Sequence, residues 1–359
     1  MLRTPRGYPT LRATAFSEAV RDGDDFSTGI FDRQARLIAQ GNFTPGHTGS
    51  MPFLVDAMLK QFPPATLKPG DALLSNDSAL GSGHFPDIFL LTPVFRDGDV
   101  LGYMVNIAHH VDVGGAAPGS QEVAGVSSAV QEGLRIQPVK IIRGGEFEPD
   151  LLRLILGNVR VPEKLLGDLK AQRNANFVGA RRFLELYGDY GDVVIEPAIE
   201  TIFDRSEKRM REHIAKLPDG TYDFEDVIDD SGPGSSSVRV RAEIRISGDD
   251  MVIDFSGSSD QVPAGINSYL NYTRAYGAFA AKVVADALLP QNHGAARPIK
   301  VMAREGSFFQ SKIPGAQRRP RRGADPHLRG GQWCALEGSA RLRDGCAFAL
   351  VEPKHQRHR

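Results

Sequence analysis

Cysteine is almost missing from this 359-residue chain: its only two, Cys334 and Cys346, lie near the end. Residues 1–315 therefore hold no thiol, which excludes a disulfide framework, a cysteine-ligated zinc site and a cysteine nucleophile from that stretch. Long apolar runs are missing too. The most apolar segment, IFLLTPVF at 88–95, is strand length, far short of the roughly 18 residues of a membrane span. The opening residues, MLRTPRGYPTLRATAF, have no continuous apolar core of the secretory kind, so a cytoplasmic location without a membrane partner is the expectation. There is no GxGxxG and no P-loop, since GGAAPGS at 114–120 lacks the GK[ST] ending, and no GxSxG. Dinucleotide binding, nucleotide binding by a P-loop and serine hydrolysis are disfavoured accordingly.

What is present is an ordinary globular composition, 41% hydrophobic and 24% charged, long enough for two or three domains. The near-neutral total conceals an asymmetry. Beyond Gly315, ten Lys and Arg face four Asp and Glu, so against an overall charge of −1 the first 315 residues carry −7 and the remainder +6. The only tryptophan, Trp333, also lies in this basic stretch.

The alternation of apolar runs and turn residues predicts a mixed α/β chain of the α+β kind rather than a regular βαβ series. A strand-rich region is expected over 1–148. In it DFSTGIFDRQARLIAQG forms a hairpin turning at Asp32–Arg36, and PGHTGSMPFLVDAMLKQF is a loop opening an amphipathic helix. Strands follow at PGDALLSND, DIFLLTPVF and DGDVLGYMVNIAHH. Residues 149–216 are expected to be helical, with Pro162 in a first turn, Gly188 at a stop, and a second helix from about Asp192 to Lys216. A mixed region over 217–315 has strands in SVRVRAEIRISGDDMVIDFSGSS and a helix in YTRAYGAFAAKVVADALL.

The chemistry concentrates in two stretches, SNDSALGSGHFPDIF and NIAHHVDVGG. If 88–95 and 100–108 pair through RDGD, the end of the second strand returns beside the start of the first. His109 or His110 then comes near His84 and Asp87. Two imidazoles and a carboxylate leave coordination positions open and suit Mn²⁺, Fe²⁺ or Zn²⁺. His110 and Asp112 should share one strand face and His109 the other, so either set could serve, and Asp112 could instead orient an imidazole. Against this stands the commoner role of a loop histidine as a simple hydrogen-bonding group. His47 could line the same pocket but reads more readily as a loop hydrogen-bonder. Asp254 reads as a strand cap, and DGDD (22–25) and VIDD (227–230) as solvated turns.

Taken together and in order, RATAFSEAVRDGDDFSTGIFD, HTGSMP, SNDSALGSGHFPDIFLLTPVF, AHHVDVGGAAPGS, VIDFSGSSDQVPAGINS and RPIKVMAREGS resemble the hydantoinase B family over residues 10–315. That family embraces the B-type subunit of N-methylhydantoinases, the matching half of 5-oxoprolinases and the large subunit of acetone carboxylases. The resemblance implies an A-type partner subunit that uses ATP to phosphorylate a carbonyl or carboxylate, with this chain completing the reaction in a hetero-oligomer. The implied reaction is hydrolysis of a small cyclic amide such as a hydantoin or 5-oxoproline. The alternatives are carboxylation of a ketone-derived enol phosphate and a truncated, non-catalytic member. The family's metal pattern, a His, an Asp three on and a His twenty-two beyond, falls on His84, Asp87 and His109, with manganese foremost and zinc or iron(II) the other choices. His110 and Asp112 are then the catalytic pair, facing the substrate or orienting a ligand. No nucleic-acid partner is implied.

The resemblance fades near SKIPGA. Residues 316–359 form a basic, non-family tail rich in Arg, Ala, Gly and Pro, expected to be the product of a shifted reading frame. A genuine basic arm and a divergent folded end are the other readings. The family also tends to begin with a longer segment ahead of its RTAFS-like motif.

Overall fold

A computed structural model describes residues 7–41, 44–120, 126–229 and 237–312. The basic stretch 316–359, with Trp333 and both cysteines, lies outside the described residues, and so does the expectation of a shifted frame. The chain opens with α1 (Gly7–Thr14), α2 (Glu18–Arg21), β1 (Phe26–Asp32) and β2 (Leu37–Gln40). There follow α3 (Pro45–Gln61), β3 (Ala72–Ser75), β4 (Asp87–Arg96), β5 (Asp99–His109), β6 (Val139–Arg143) and β7 (Glu146–Phe147). Next come α4 (Pro149–Leu156), α5 (Pro162–Tyr190) and α6 (Asp192–Ile214). The described chain closes with β8 (Gly220–Ile228), β9 (Val238–Ser247), β10 (Asp250–Asp254), α7 (Leu270–Asp286), α8 (His293–Ala296) and β11 (Ile299–Met302). Among the described residues no helix is long and apolar enough to cross a membrane.

The strands form a seven-stranded sheet in the order β2-β1-β5-β4-β3-β6-β7 and a four-stranded sheet in the order β11-β10-β9-β8. Every neighbouring pair is antiparallel except β10 with β11. This is the mixed, α+β architecture that the sequence pattern implies.

The β4–β5 hairpin is the element that builds the site. Its turn carries positive φ at both Asp97 (54°) and Gly98 (94°), the geometry that twists two strands together most readily. Period-two alternation then sorts the side chains. Phe89 and Leu91 of β4 with Tyr103, Val105 and Ile107 of β5 pack against Met51, Leu54 and Met58 of α3. On the other face, Ile88 and Leu90 meet Leu165 and Leu169 of α5. The sheet is thus sandwiched between α3 and α5. In the smaller unit, Val238, Val240, Ala242, Ile244 and Ile246, the alternate residues of β9, pack with α7 residues Ala280 and Ala281. Helix α7 also packs against α3, so the second sheet's helix reaches the first sheet's face.

Three local expectations need correction. PGHTG is not a loop: α3 begins at Pro45, with proline at its first helical position. Its glycines answer to packing, because a Cβ on Gly46 would lie 2.5 Å from the Tyr272 hydroxyl and one on Gly49 2.6 Å from the Ala275 Cβ. Helix α5 passes through Gly188 and ends at Tyr190, where Gly191 (φ 73°) turns the chain. GTYDFEDVI is itself a strand, β8, and takes Val227 and Ile228 out of the turn expected at VIDD.

Candidate metal centre

Asp87 is the first residue of β4 and His109 the last of β5, and the antiparallel register sets them directly opposite each other. His84 stands three residues before Asp87, in the loop that follows β3. The Asp87 amide donates to the His84 carbonyl (3.2 Å) and the His109 amide to the Asp25 carbonyl (2.9 Å). One ligand-capable atom from each of His84, Asp87 and His109 lies within 4.8 Å of the others. The two imidazoles are tilted across each other with centroids 4.8 Å apart.

Two further residues close the cluster. From the first turn of α3, His47 brings Nε2 to 3.2 Å from Asp87 Oδ1, and His84 Nε2 stands 3.3 Å from the same oxygen. Asp25 Oδ1 lies 3.8 Å from His47 Nε2. Opposing imidazoles thus hold one oxygen of a carboxylate that is completely buried. Its other oxygen, Oδ2, and the Nδ1 of His109 are buried without a hydrogen-bond partner among the described residues. Leaving such groups unpaired costs about 1–3 kcal/mol each, and more for a charged one. The ligand-capable atoms of His84, Asp87 and His109 lie close enough to share one cation, so the residues fit a divalent metal bound by two imidazoles and one carboxylate.

The electrostatics agree. Burial opposes charge on His47 and His84, yet the Asp87 carboxylate outweighs it and holds both imidazoles above their ordinary pKa. Burial likewise opposes ionisation of Asp87, but His84 and His47 hold it well below the usual carboxylate range. At His109 burial and the neighbouring His84 outweigh the pull of Asp87 and Asp25 and push it down to about 4, so the imidazole is neutral and keeps a lone pair for a metal. Glu132, buried beside the cluster, is pushed up to about 7 by burial, partly offset by His84. Its Oε2 accepts from the Phe85 amide at 3.4 Å and its Oε1 has no partner among the described residues.

The structure does not bring His110 or Asp112 into the cluster. One residue past the end of β5, His110 follows the alternation onto the α5 face, where Nε2 meets Gln172 Oε1 at 3.1 Å. Asp112 is buried, and its carboxylate accepts from the Gly114 amide (3.1 Å), the Arg160 amide and the Arg160 guanidinium (2.7 Å). It fastens the loop after β5 to the turn between α4 and α5. The glycines of AHHVDVGG are required there: Gly114 and Gly115 have φ of 84° and 76°, and a Cβ on either would lie 2.5 Å from a carbonyl oxygen.

Tyr272 of α7 completes the surround. Its ring is wedged between Gly46 and Gly83, the residues immediately before His47 and His84; a Cβ on Gly83 would lie 2.6 Å from the Tyr272 Cζ. Asp25, Glu132 and Tyr272 were not singled out from the sequence. Only the two glycine–histidine pairs, GH at 46–47 and at 83–84, hint that something presses close to both imidazoles.

The chain was compared with known protein families, sequences and structures. The family model for hydantoinase B/oxoprolinase matches residues 8–320. An uncharacterized protein of Methanocaldococcus jannaschii is 36% identical over 308 residues, which are 85% of this chain and 54% of that one. The caprolactamase subunit beta of Pseudomonas jessenii is 32% identical over 351 residues, 97% of this chain and 57% of its own. The chain thus spans little more than half the length of these relatives. The crystal structure of the ATP-dependent caprolactamase from Pseudomonas jessenii superposes with a TM-score of 0.85 at 28% identity, over 98% of this chain and 58% of that one. The chain belongs to the hydantoinase B/oxoprolinase family.

Proposed function

We propose that this chain is the B-type, ring-opening part of an ATP-dependent enzyme acting on a small cyclic amide, working beside an A-type partner subunit that uses the ATP. Membership of the family supports the reaction class, and the name of the caprolactamase relative extends the substrates from hydantoins and 5-oxoproline to plain lactams. The single observation that carries the reading is the cluster of His84, Asp87 and His109, whose ligand-capable atoms all lie within 4.8 Å of one another.

In this reading His84, Asp87 and His109 hold a divalent ion, manganese foremost. Such an ion acts as a Lewis acid on a carbonyl oxygen or lowers the pKa of a bound water. His47 hydrogen-bonds Asp87 and fixes its orientation. Glu132, with a pKa near neutrality and a free Oε1, accepts and returns a proton beside the site. His110 and Asp112 are positioning residues: His110 ties the end of β5 to α5, and Asp112 holds the glycine loop against Arg160.

The test is turnover of the chain with its A-type partner on caprolactam, 5-oxoproline and hydantoin. ATP-dependent ring opening without bicarbonate supports the reading. Turnover that requires bicarbonate would make the chain a carboxylase subunit, and a metal-loaded complex without turnover on any of these would make it non-catalytic.

A further inference from the structure

We propose that a second site, distinct from the metal centre, binds a small organic anion in a cavity between α3, α7 and β11, with Arg274 as its anchor. The cavity, about 370 Å³, is within the range of small-molecule sites. Its lining mixes apolar side chains, Pro52 and Phe53 of α3 with Ile299 and Val301 of β11, with the cations Arg274 and Lys300. Among the described residues no acidic side chain lines it.

Arg274 is half-buried and no carboxylate lies within ion-pair distance of it among the described residues, whereas almost every other guanidinium described in that part of the chain has one. Its hydrogen bonding in the described residues is one long contact from Nε to the Val301 carbonyl (3.4 Å), and its guanidinium carbon stands 5.5 Å from the Phe53 ring centroid. Burial lowers its pKa with no neighbouring acid to oppose the shift. Among the described residues the fork of terminal N–H groups has no hydrogen-bond partner, and its planar geometry matches a carboxylate or phosphate bidentately. Lys300 adds a second cation that also has no ion pair among the described residues. An anion carrying a short apolar body matches this mixed lining. The metal centre is not part of this inference: His47 faces Asp87, whereas the next residues of α3, Thr48 and Gly49, line the cavity.

The experiment is calorimetric titration of the full chain with hexanoate, hexyl phosphate and hexylamine, repeated on Arg274→Met and Lys300→Ala. Saturable one-to-one binding of at least one of the two anions and none of hexylamine is expected, weakened at least tenfold by Arg274→Met and severalfold by Lys300→Ala. Relief of a half-buried unpaired cation should leave the melting temperature of Arg274→Met unchanged or raised. Absence of saturable anion binding overturns the proposal. So does binding that Arg274→Met leaves intact, or a variant that melts lower while binding the anion as before.

Discussion

His109 and His110 are neighbours in the chain and opposites in the fold. On the α5 face, His110 Nε2 joins a hydrogen-bonded ladder through Gln172, although its Nδ1 has no partner among the described residues. Gln172 Nε2 donates to the Ile88 carbonyl (2.8 Å) and Asn106 Oδ1 (2.9 Å), and Asn106 Nδ2 to Asn176 Oδ1 (2.8 Å). Asn176 Nδ2 donates in turn to the Leu90 carbonyl (3.0 Å) and Thr92 Oγ1 (3.1 Å). On the α3 face, His109 and Asp87 are also buried, and with His84 they bring ligand-capable atoms within 4.8 Å of one another. A hydrogen-bonded ladder of buried polar groups holds a structure together, whereas two imidazoles and a carboxylate within reach of one point suit a cation. One strand thus serves both purposes, and a shift of one residue in register would exchange them.

The sharpest way to break that contrast is to damage the hydrogen-bonded face. Gln172→Ala strands the Ile88 carbonyl, the Asn106 amide and His110 together, and should cost about 2–4 kcal/mol of stability. Metal stoichiometry should stay at the wild-type value below the melting transition, as denaturant unfolding and metal analysis on the same sample would show. Loss of metal from the folded variant would mean that the two faces are not separate. A smaller effect is expected from Asp112→Ala. It frees the loop holding Gly114 and Gly115 but leaves Arg160 able to reach water, so about 1 kcal/mol is the expected cost. Metal should be retained and turnover lowered. An unchanged rate would remove Asp112 from the functional account altogether.

The smallest effect is a change in metal affinity with pH. A protonated imidazole cannot ligate, and His84 is held above its ordinary value of 6.5 by Asp87 despite burial. Acidification should therefore weaken metal binding from a pH above 6.5 downward, while Asp87 stays ionised and His109, near 4, stays neutral. Manganese titrations at pH 8 and pH 6 should show tighter binding at pH 8. Equal affinities would mean that His84 is not a ligand.

Much of this was legible in the sequence because local rules suffice for it. RDGD between two apolar runs dictates a tight hairpin, and period two then sets Asp87 opposite His109 on one face with His110 on the other. His47 could be offered only as a candidate lining residue, and Asp25 not at all, because nothing local ties them to Asp87. His47 lies 40 residues away and arrives through the packing of α3 on the sheet. The start of α3 was hidden by its own glycines, which look like loop residues but make room for Tyr272 and Ala275 of a helix more than 200 residues later. Asp25, in a run of acids that reads as a solvated turn, is drawn in because the Asp25 carbonyl receives the His109 amide.

The central claim rests on one measurement: metal bound per chain in the purified protein and in its Asp87→Ala and Gln172→Ala variants, after exposure to Mn²⁺ or Zn²⁺. The account predicts close to one ion per chain in the wild type and in Gln172→Ala, and none in Asp87→Ala with the fold intact by circular dichroism. No ion in the wild-type chain, or one retained by Asp87→Ala, would contradict it.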